Sequence, residues 1–350
     1  MQQDLYNRFD GYDEFAHLLT GTDEDVLIAL RAKPALLRIP AASPTGRARM
    51  VSCLLHGNED SGYRAVLRLL RTRPRFDFDL WVFIGNVRAA SAHGWFAHRH
   101  LDDQEDFNRV WGVGQATTRM RRCAAAVLEE LGKADLQAAV DLHNNTGENP
   151  MHAIVPQWSP STLHLAAVCS DTVLNWPMKA HTLMEALAEQ CPAVAVECGL
   201  PGMEANAAFA ASVLQRFLTE PSFDPASRVP EKAYELRTRV TVRPEVPFAF
   251  GGGLTEDIDL VLVPGLDGHN FGMLFAGAEI GHVPPGAAMP LCATDMRGND
   301  VTASLLTVTD DGRLVLTTDV TPVMMTTTVV QTRRDCLFYV ARRRDDGLTT

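Results

Sequence analysis

One repeated alternation constrains this chain more than any other feature: an unbroken apolar run, a polar break, then apolar residues at helical spacing. ARMVSCLL stops at HGNEDSG and gives way to GYRAVLRLLRTR, and DLWVFIGN leads through a long polar stretch into TTRMRRCAAAVLEELG. LQAAVDLH and PAVAVECG repeat the apolar run, the latter followed by the helical ANAAFAASVLQRFLTE. Strands apolar at every position have both faces covered, and strands alternating with helices are joined by crossovers that supply the cover. The predicted fold is α/β, a mainly parallel mixed sheet flanked by helices.

Ahead of this core, DEFAHLL and EDVLIALRA read as short helices of an N-terminal cap that leads into an extended ALLRIP. Within the core, TLHLAAVCSDTVLN and HTLMEALAEQ read as helices. PSFDPASRVPEK is linker-like, and the chain beyond it is rich in Val, Thr and Gly. There VTVRPEVPFAF, IDLVLVP, LLTVTDDGRLVLTTDV and TTTVVQT read as strands, with DDG as a hairpin turn. The expected organisation is an α/β catalytic domain over 1–222 and a smaller, mostly-β domain over 223–350.

Charge and composition narrow the function. The formal net charge is -11 and the basic residues are scattered, so the electrostatic footprint of a nucleic-acid partner is missing. MQQDLYNRFDGYDEF lacks the basic start and apolar middle of a signal peptide, and no uncharged apolar run approaches the roughly 20 residues that span a bilayer. The expectation is a cytoplasmic protein without a membrane partner; a homo-oligomer stays open. The 7 cysteines fall at irregular spacings inside apolar segments with no CxxC pair, which predicts reduced, packed thiols and no cysteine zinc site. A chain of 350 residues buries a full core without staples, so any metal here would serve chemistry.

In an open α/β sheet, ligands collect beyond the carboxyl ends of the strands. ARMVSCLL ends at His56 with Glu59 three residues on, LQAAVDLH ends at His143, and PAVAVECG carries Glu197. Two histidines and a carboxylate are a common ligand set for catalytic zinc, with one position left for water. Glu197, set among apolar residues and followed by Gly199, suits a partly desolvated proton carrier.

Five short segments, in order, strengthen that reading. HGNEDSG with His56 and Glu59, NVRAA with Arg88, RHLDDQEDFNRVW with Asn108 and Arg109, DLHNNTG with His143, and VECG with Glu197 together resemble the succinylglutamate desuccinylase/aspartoacylase family, a zinc carboxypeptidase-like branch. The resemblance implies one Zn2+ held by His56, Glu59 and His143, with Glu197 as general base. It further implies Arg88 against the developing oxyanion, and Asn108, Arg109 and Asn144 on the substrate. Asp141, two before His143, would hold that ligand's other ring nitrogen. The implied activity is hydrolysis of an amide or N-acyl bond in a small carboxylate-bearing substrate, an acyl amino acid or short peptide.

The match also departs from the family pattern. Val87 stands where the family has proline, and RHLDDQEDFNR is about two residues longer than the family spacing. Between Arg122 and Arg216 there is no arginine, although aspartoacylases draw one from that region for the substrate's second carboxylate; Lys179 could substitute there as a point charge, but it reads as a solvated surface residue. A substrate other than N-acetylaspartate is expected. His93, His98 and His100 in the long loop, and His269, His282 and Tyr339 in the tail, are weaker candidates for the cleft. A serine or cysteine hydrolase is disfavoured by the lack of a Gly-x-Ser-x-Gly elbow, and a zincin by the lack of HExxH. The remaining alternative is a catalytically inactive binding protein on the same fold.

Overall fold

The structure, a computed structural model, describes residues 4–43, 45–223 and 228–344. These pack into two compact units, one built from residues up to Asn144 and from Met151 to Glu231, the other from Asn145–Pro150 and from Lys232 onward.

The first unit holds strands β1 (Asn7–Asp10), β2 (Ala35–Ile39), β3 (Arg47–Cys53), β4 (Asp79–Ile84), β5 (Asp135–His143), β6 (His152–Val155), β7 (Thr172–Asn175) and β8 (Ala193–Glu197). Their order in the sheet is β1-β2-β4-β3-β5-β8-β6-β7. The four apolar runs form its parallel centre, β4-β3-β5-β8, while β2 and β6 run against it on either side. One face is covered by helices Asp60–Arg71, Pro160–Cys169 and Glu204–Thr219, the other by Arg119–Leu131 and Leu183–Leu187. Alternate residues of β3 serve the two cores, Val51 and Cys53 on one side and Ala48 and Met50 on the other, as the period of two requires.

A charge inside β3 also has a structural use. The buried Arg49 guanidinium lies over the rings of Phe78 and Phe223, and its Nη2 donates to the Glu220 carbonyl at 2.6 Å. It thereby satisfies a carbonyl at the end of helix Glu204–Thr219, where a cation is favoured. Burial holds its pKa down at about 10.

Three local readings change. TVLN does not prolong a helix: the chain is already extended at Ser170, and Val173 and Leu174 pair with Ala153 and Ile154 as strand β7. HTLMEALAEQ is helical only over Leu183–Leu187. TTTVVQT, β-branched and read as a strand, contributes instead to helix Val329–Arg334, whose last turn carries Arg333 and Arg334 where the helix dipole favours cations.

The second unit is β-rich, as expected. Strands β9 (Lys232–Val242), β10 (Phe248–Phe250), β11 (Leu260–Leu262), β12 (Glu279–His282), β13 (Leu291–Asp295), β14 (Leu306–Val308), β15 (Arg313–Leu316), β16 (Thr321–Val323) and β17 (Phe338–Arg343) build it. A separate sheet runs β10-β11-β12-β15-β14, and β9 pairs with both β13 and β17. β14 and β15 form the hairpin around the expected DDG turn. Among the described residues no helix is long and apolar enough to cross a membrane.

Candidate metal centre

The chain leaves β3 for β4 on one side and returns from β4 to β5 on the other, which makes the β3/β5 crevice the switch point where ligands gather in such sheets. At the end of β3, buried Leu54 takes φ 61°, a left-handed conformation that costs a residue with a Cβ roughly 1–2 kcal/mol. Past this turn come His56 and Glu59. Helix Asp60–Arg71 then packs so closely on β5 that a Cβ at Gly62 would stand 2.5 Å from Leu142 Cβ. Glycine at that position lets Glu59 reach the end of β5. There His143 lies opposite Glu197 in the β5/β8 register.

Glu59 bridges the two imidazoles. Its Oε1 lies 2.7 Å from His56 Nδ1 and its Oε2 2.7 Å from His143 Nδ1, with the ring centroids 5.2 Å apart. Each far ring nitrogen meets a second carboxylate: Asp106 Oδ1 is 3.0 Å from His56 Nε2, and Asp141 Oδ2 is 2.6 Å from His143 Nε2. Asp141 is in turn held by the Ser52 hydroxyl, which donates to its Oδ1. Arg99 holds Asp106, donating from Nε at 3.0 Å and Nη2 at 2.9 Å to Oδ2, and its Nη1 stands 3.6 Å from Glu59 Oε1.

Electrostatics follow from this packing. Burial alone would raise the Glu59 carboxyl, but His56 and His143 outweigh it and hold it well below the usual carboxylate range. For Asp106, too, burial is overcome, by His56 and Arg99, and its pKa is low. Burial opposes protonation of His143, yet Asp141 and Glu59 raise its pKa well above the ordinary value. Glu197 differs: it is 8% exposed, its Oε2 has no hydrogen-bond partner, and burial, which His143 opposes and Glu59 reinforces, pushes it up to about 7.

One ligand atom each from His56, Glu59 and His143 lie within 4.8 Å of one another, all three residues being buried. With both Nδ1 atoms turned to one carboxylate and both Nε2 atoms fixed by others, the donor set fits a divalent cation bound through Nδ1, oxygen and Nδ1.

The other expected site residues separate. Arg88 is half-exposed and pairs with Asp103 at 2.9 Å; the guanidinium at the centre is that of Arg99, which no motif had marked. Its signal was its place at the head of RHLDDQEDFNR, the segment that also supplies Asp106, equally unmarked. Asn108 is buried between His143 Nε2, 3.3 Å from its Nδ2, and the Leu183 N–H, which donates to its Oδ1 at 3.0 Å. Arg109 is exposed and donates to the Asn108 carbonyl. The Asn144 amide is engaged within the protein: both Nδ2 protons go to Ser61 Oγ and the Gly199 carbonyl, and its Oδ1 takes the Ser61 N–H. It ties the start of helix Asp60–Arg71 to the chain beyond Glu197. Lys179 is exposed. Burial raises the Cys198 thiol well above its ordinary pKa, with the adjacent Glu197 adding, so no reactive thiolate stands beside the centre.

Residues 45–199 match the family model described as the succinylglutamate desuccinylase/aspartoacylase catalytic domain. The fold is shared with the crystal structure described as a succinylglutamate desuccinylase/aspartoacylase from Rhodobacter sphaeroides, 14% identical over 88% of each chain with a TM-score of 0.58. It is shared likewise with succinylglutamate desuccinylases from Vibrio parahaemolyticus (17% identity, 82% of this chain and 86% of that one, TM-score 0.53) and Chromobacterium violaceum (16%, 80% and 88%, TM-score 0.52). No curated protein matches by sequence. Identities this low speak for the fold alone.

Proposed function

We propose, from the match of residues 45–199 to the succinylglutamate desuccinylase/aspartoacylase catalytic-domain model, that this chain is a member of that family and a zinc-dependent hydrolase of an amide or N-acyl bond in a small, carboxylate-bearing substrate. The observation that carries the reading is one buried cluster in which two histidines share a carboxylate while a further carboxyl, Glu197, stands beside them with a free oxygen. His56, Glu59 and His143 would hold the ion, which when bound polarises a carbonyl and lowers the pKa of water toward about 7.

The chain's own groups supply the rest. Glu197 Oε2 accepts a proton from the attacking water and returns it to the amine nitrogen as the C–N bond breaks; a carboxyl near pH 7 exchanges protons in both directions at small cost. Arg99, rather than Arg88, is the cation placed to meet negative charge on the carbonyl oxygen. Asp106 and Asp141 keep the two imidazoles turned with Nδ1 inward. Arg109, exposed beside this turn, would meet a substrate carboxylate, for which its planar fork is suited.

The reading is tested by metal analysis of the purified protein together with a hydrolysis screen over N-acyl amino acids and short peptides. One zinc per chain, loss of turnover with a chelator and its return with zinc are expected, with N-acetylaspartate a poor substrate. A protein without stoichiometric metal, in which Glu197→Gln changes nothing, would instead be a binding protein on a hydrolase fold.

A further inference from the structure

Helix Asp60–Arg71 begins without a cap of its own. Its N-cap residue is Glu59, which makes no side-chain cap bond because its carboxylate is turned to the two histidines. The end of β5 supplies what the helix start lacks, the Ser61 N–H donating to Asn144 Oδ1 at 3.0 Å. Asp60 stands in the first turn, where the helix dipole favours negative charge, but it is only 3% exposed. A carboxylate buried that far is costly unless its oxygens are engaged. Oδ2 accepts from Arg64 Nε at 2.8 Å, one turn on in the same helix, and Oδ1 reaches out of the helix to take the Gly202 N–H at 2.8 Å.

Gly202 belongs to the turn that carries the chain from Glu197 into helix Glu204–Thr219. Pro201, Gly202 and Met203 are exposed, and Gly199 and Gly202 take φ 81° and 78°, so the turn is held by its bonds rather than by packing at its tip. The Leu200 carbonyl accepts from Asn206 Nδ2, which belongs to the helix that follows. Two other bonds tie the turn to the elements carrying the histidines and Glu59: Asn144 Nδ2 to the Gly199 carbonyl at 2.7 Å, and Gly202 to Asp60. Arg68 and Glu204 join the same two helices further out through a two-pronged pair, with side chains 41% and 73% exposed. An ion pair in water contributes little, so it serves as an internal control.

We infer that Asp60 is a positioning residue for the proton transfer proposed above: by holding Gly202 it fixes the turn behind Glu197 against the helix start that presents Glu59. Asp60 touches no reacting atom and acts through the placement of Glu197 beside the His–Glu cluster. Its catalytic consequence rests on the hydrolase reading, whereas the clamp on Gly202 is a property of the fold.

The test combines steady-state kinetics, on the best substrate of the hydrolysis screen, with backbone amide exchange followed by NMR in the metal-free full chain. Asp60→Ala is expected to lower kcat at least tenfold while KM and zinc affinity stay within threefold. The Gly202 amide should exchange at least tenfold faster, with the amides of β3 and β5 unchanged. Asp60→Asn keeps an oxygen for Gly202 and lets Arg64 turn to Asp23 and Glu24, its other partners at 3.2 and 3.5 Å. It should stay within threefold of the unaltered chain in both measurements, and Arg68→Met should change neither. A loss in Asp60→Asn as deep as in Asp60→Ala would assign the effect to charge, and an equal loss in Arg68→Met would assign it to helix packing at large. Unaltered kcat in Asp60→Ala, or unaltered exchange at Gly202, would remove the clamp from the mechanism. Each of these results would overturn the proposal. Absence of metal and turnover in the unaltered chain would end the hydrolase reading and this role together, and it is recognised before any Asp60 variant is compared.

Discussion

Asp141→Asn isolates one contact of the proposed centre. Asp141 is fully buried, its Oδ2 is 2.6 Å from His143 Nε2 and its Oδ1 takes the Ser52 hydroxyl proton. The asparagine has the same shape, so packing is kept while the charge is lost. If the amide oxygen faces the ring, a charge-assisted bond becomes a neutral one. If the amide nitrogen faces it, Nε2 must accept, the ring proton moves to Nδ1, and the nitrogen directed at Glu59 can no longer ligate. Hydrogen bonds to charged groups contribute about 1.5–3 kcal/mol, and changing such a partner of a metal-bound histidine typically costs 10–100-fold in affinity. The two estimates agree at about 1.4 kcal/mol per tenfold. The expected result is a zinc dissociation constant raised about 10–100-fold in competition with a chromophoric chelator, with an unchanged circular dichroism spectrum. An unaltered constant in a folded variant would refute the role given to Asp141, and with it the claim that Nδ1 is the ligand atom.

Four further outcomes are expected. Glu197→Gln should lower kcat by about 10²–10⁴-fold while zinc affinity stays within a few-fold, read by steady-state kinetics and the same chelator competition. Because burial raises Glu197 to about 7 and a base must be deprotonated to act, kcat/KM should climb with pH along an acid limb; a bound dication lowers the inflection, so a midpoint above 7 would count against Glu197. Arg99→Met should reduce kcat by about 10²–10³-fold, the effect of removing an oxyanion donor, and should also weaken zinc through the freed Asp106. Gly62→Ala forces a Cβ to within 2.5 Å of Leu142 Cβ and 3.0 Å of its carbonyl oxygen, so urea unfolding of the metal-free protein should show a loss of about 1–3 kcal/mol.

What the sequence disclosed and what it hid divide along a physical line. The parallel centre was legible because strands buried on both faces need apolar residues at every position, and HGNED, DLH and VE sit where those runs stop. Misreadings fell where two signals were too close to separate. TVLN comes after helix Pro160–Cys169 with only Ser170 and Asp171 between, so one apolar stretch spans a helix and a strand. TTTVVQT has strand propensity that its tertiary setting overrides.

At the site the limit is different in kind. A motif gives a residue's position along the chain and says nothing of which side of a loop its side chain leaves from. Arg88 and Arg99 are both arginines flanking one polar stretch; the carbonyl of Arg99 is tied to Gly57 N–H at 2.8 Å, which brings its guanidinium to Glu59, whereas Arg88 lies on a short helix and turns to Asp103. Asn144 stands next to His143 in the chain yet spends its amide on Ser61 and Gly199. Adjacency in sequence to a catalytic residue is thus as consistent with bracing the scaffold as with touching substrate, and the count of hydrogen bonds already made decides between them. By that count Glu197, with an oxygen left unpaired in a buried cluster of paired groups, is the residue whose chemistry is still to be used.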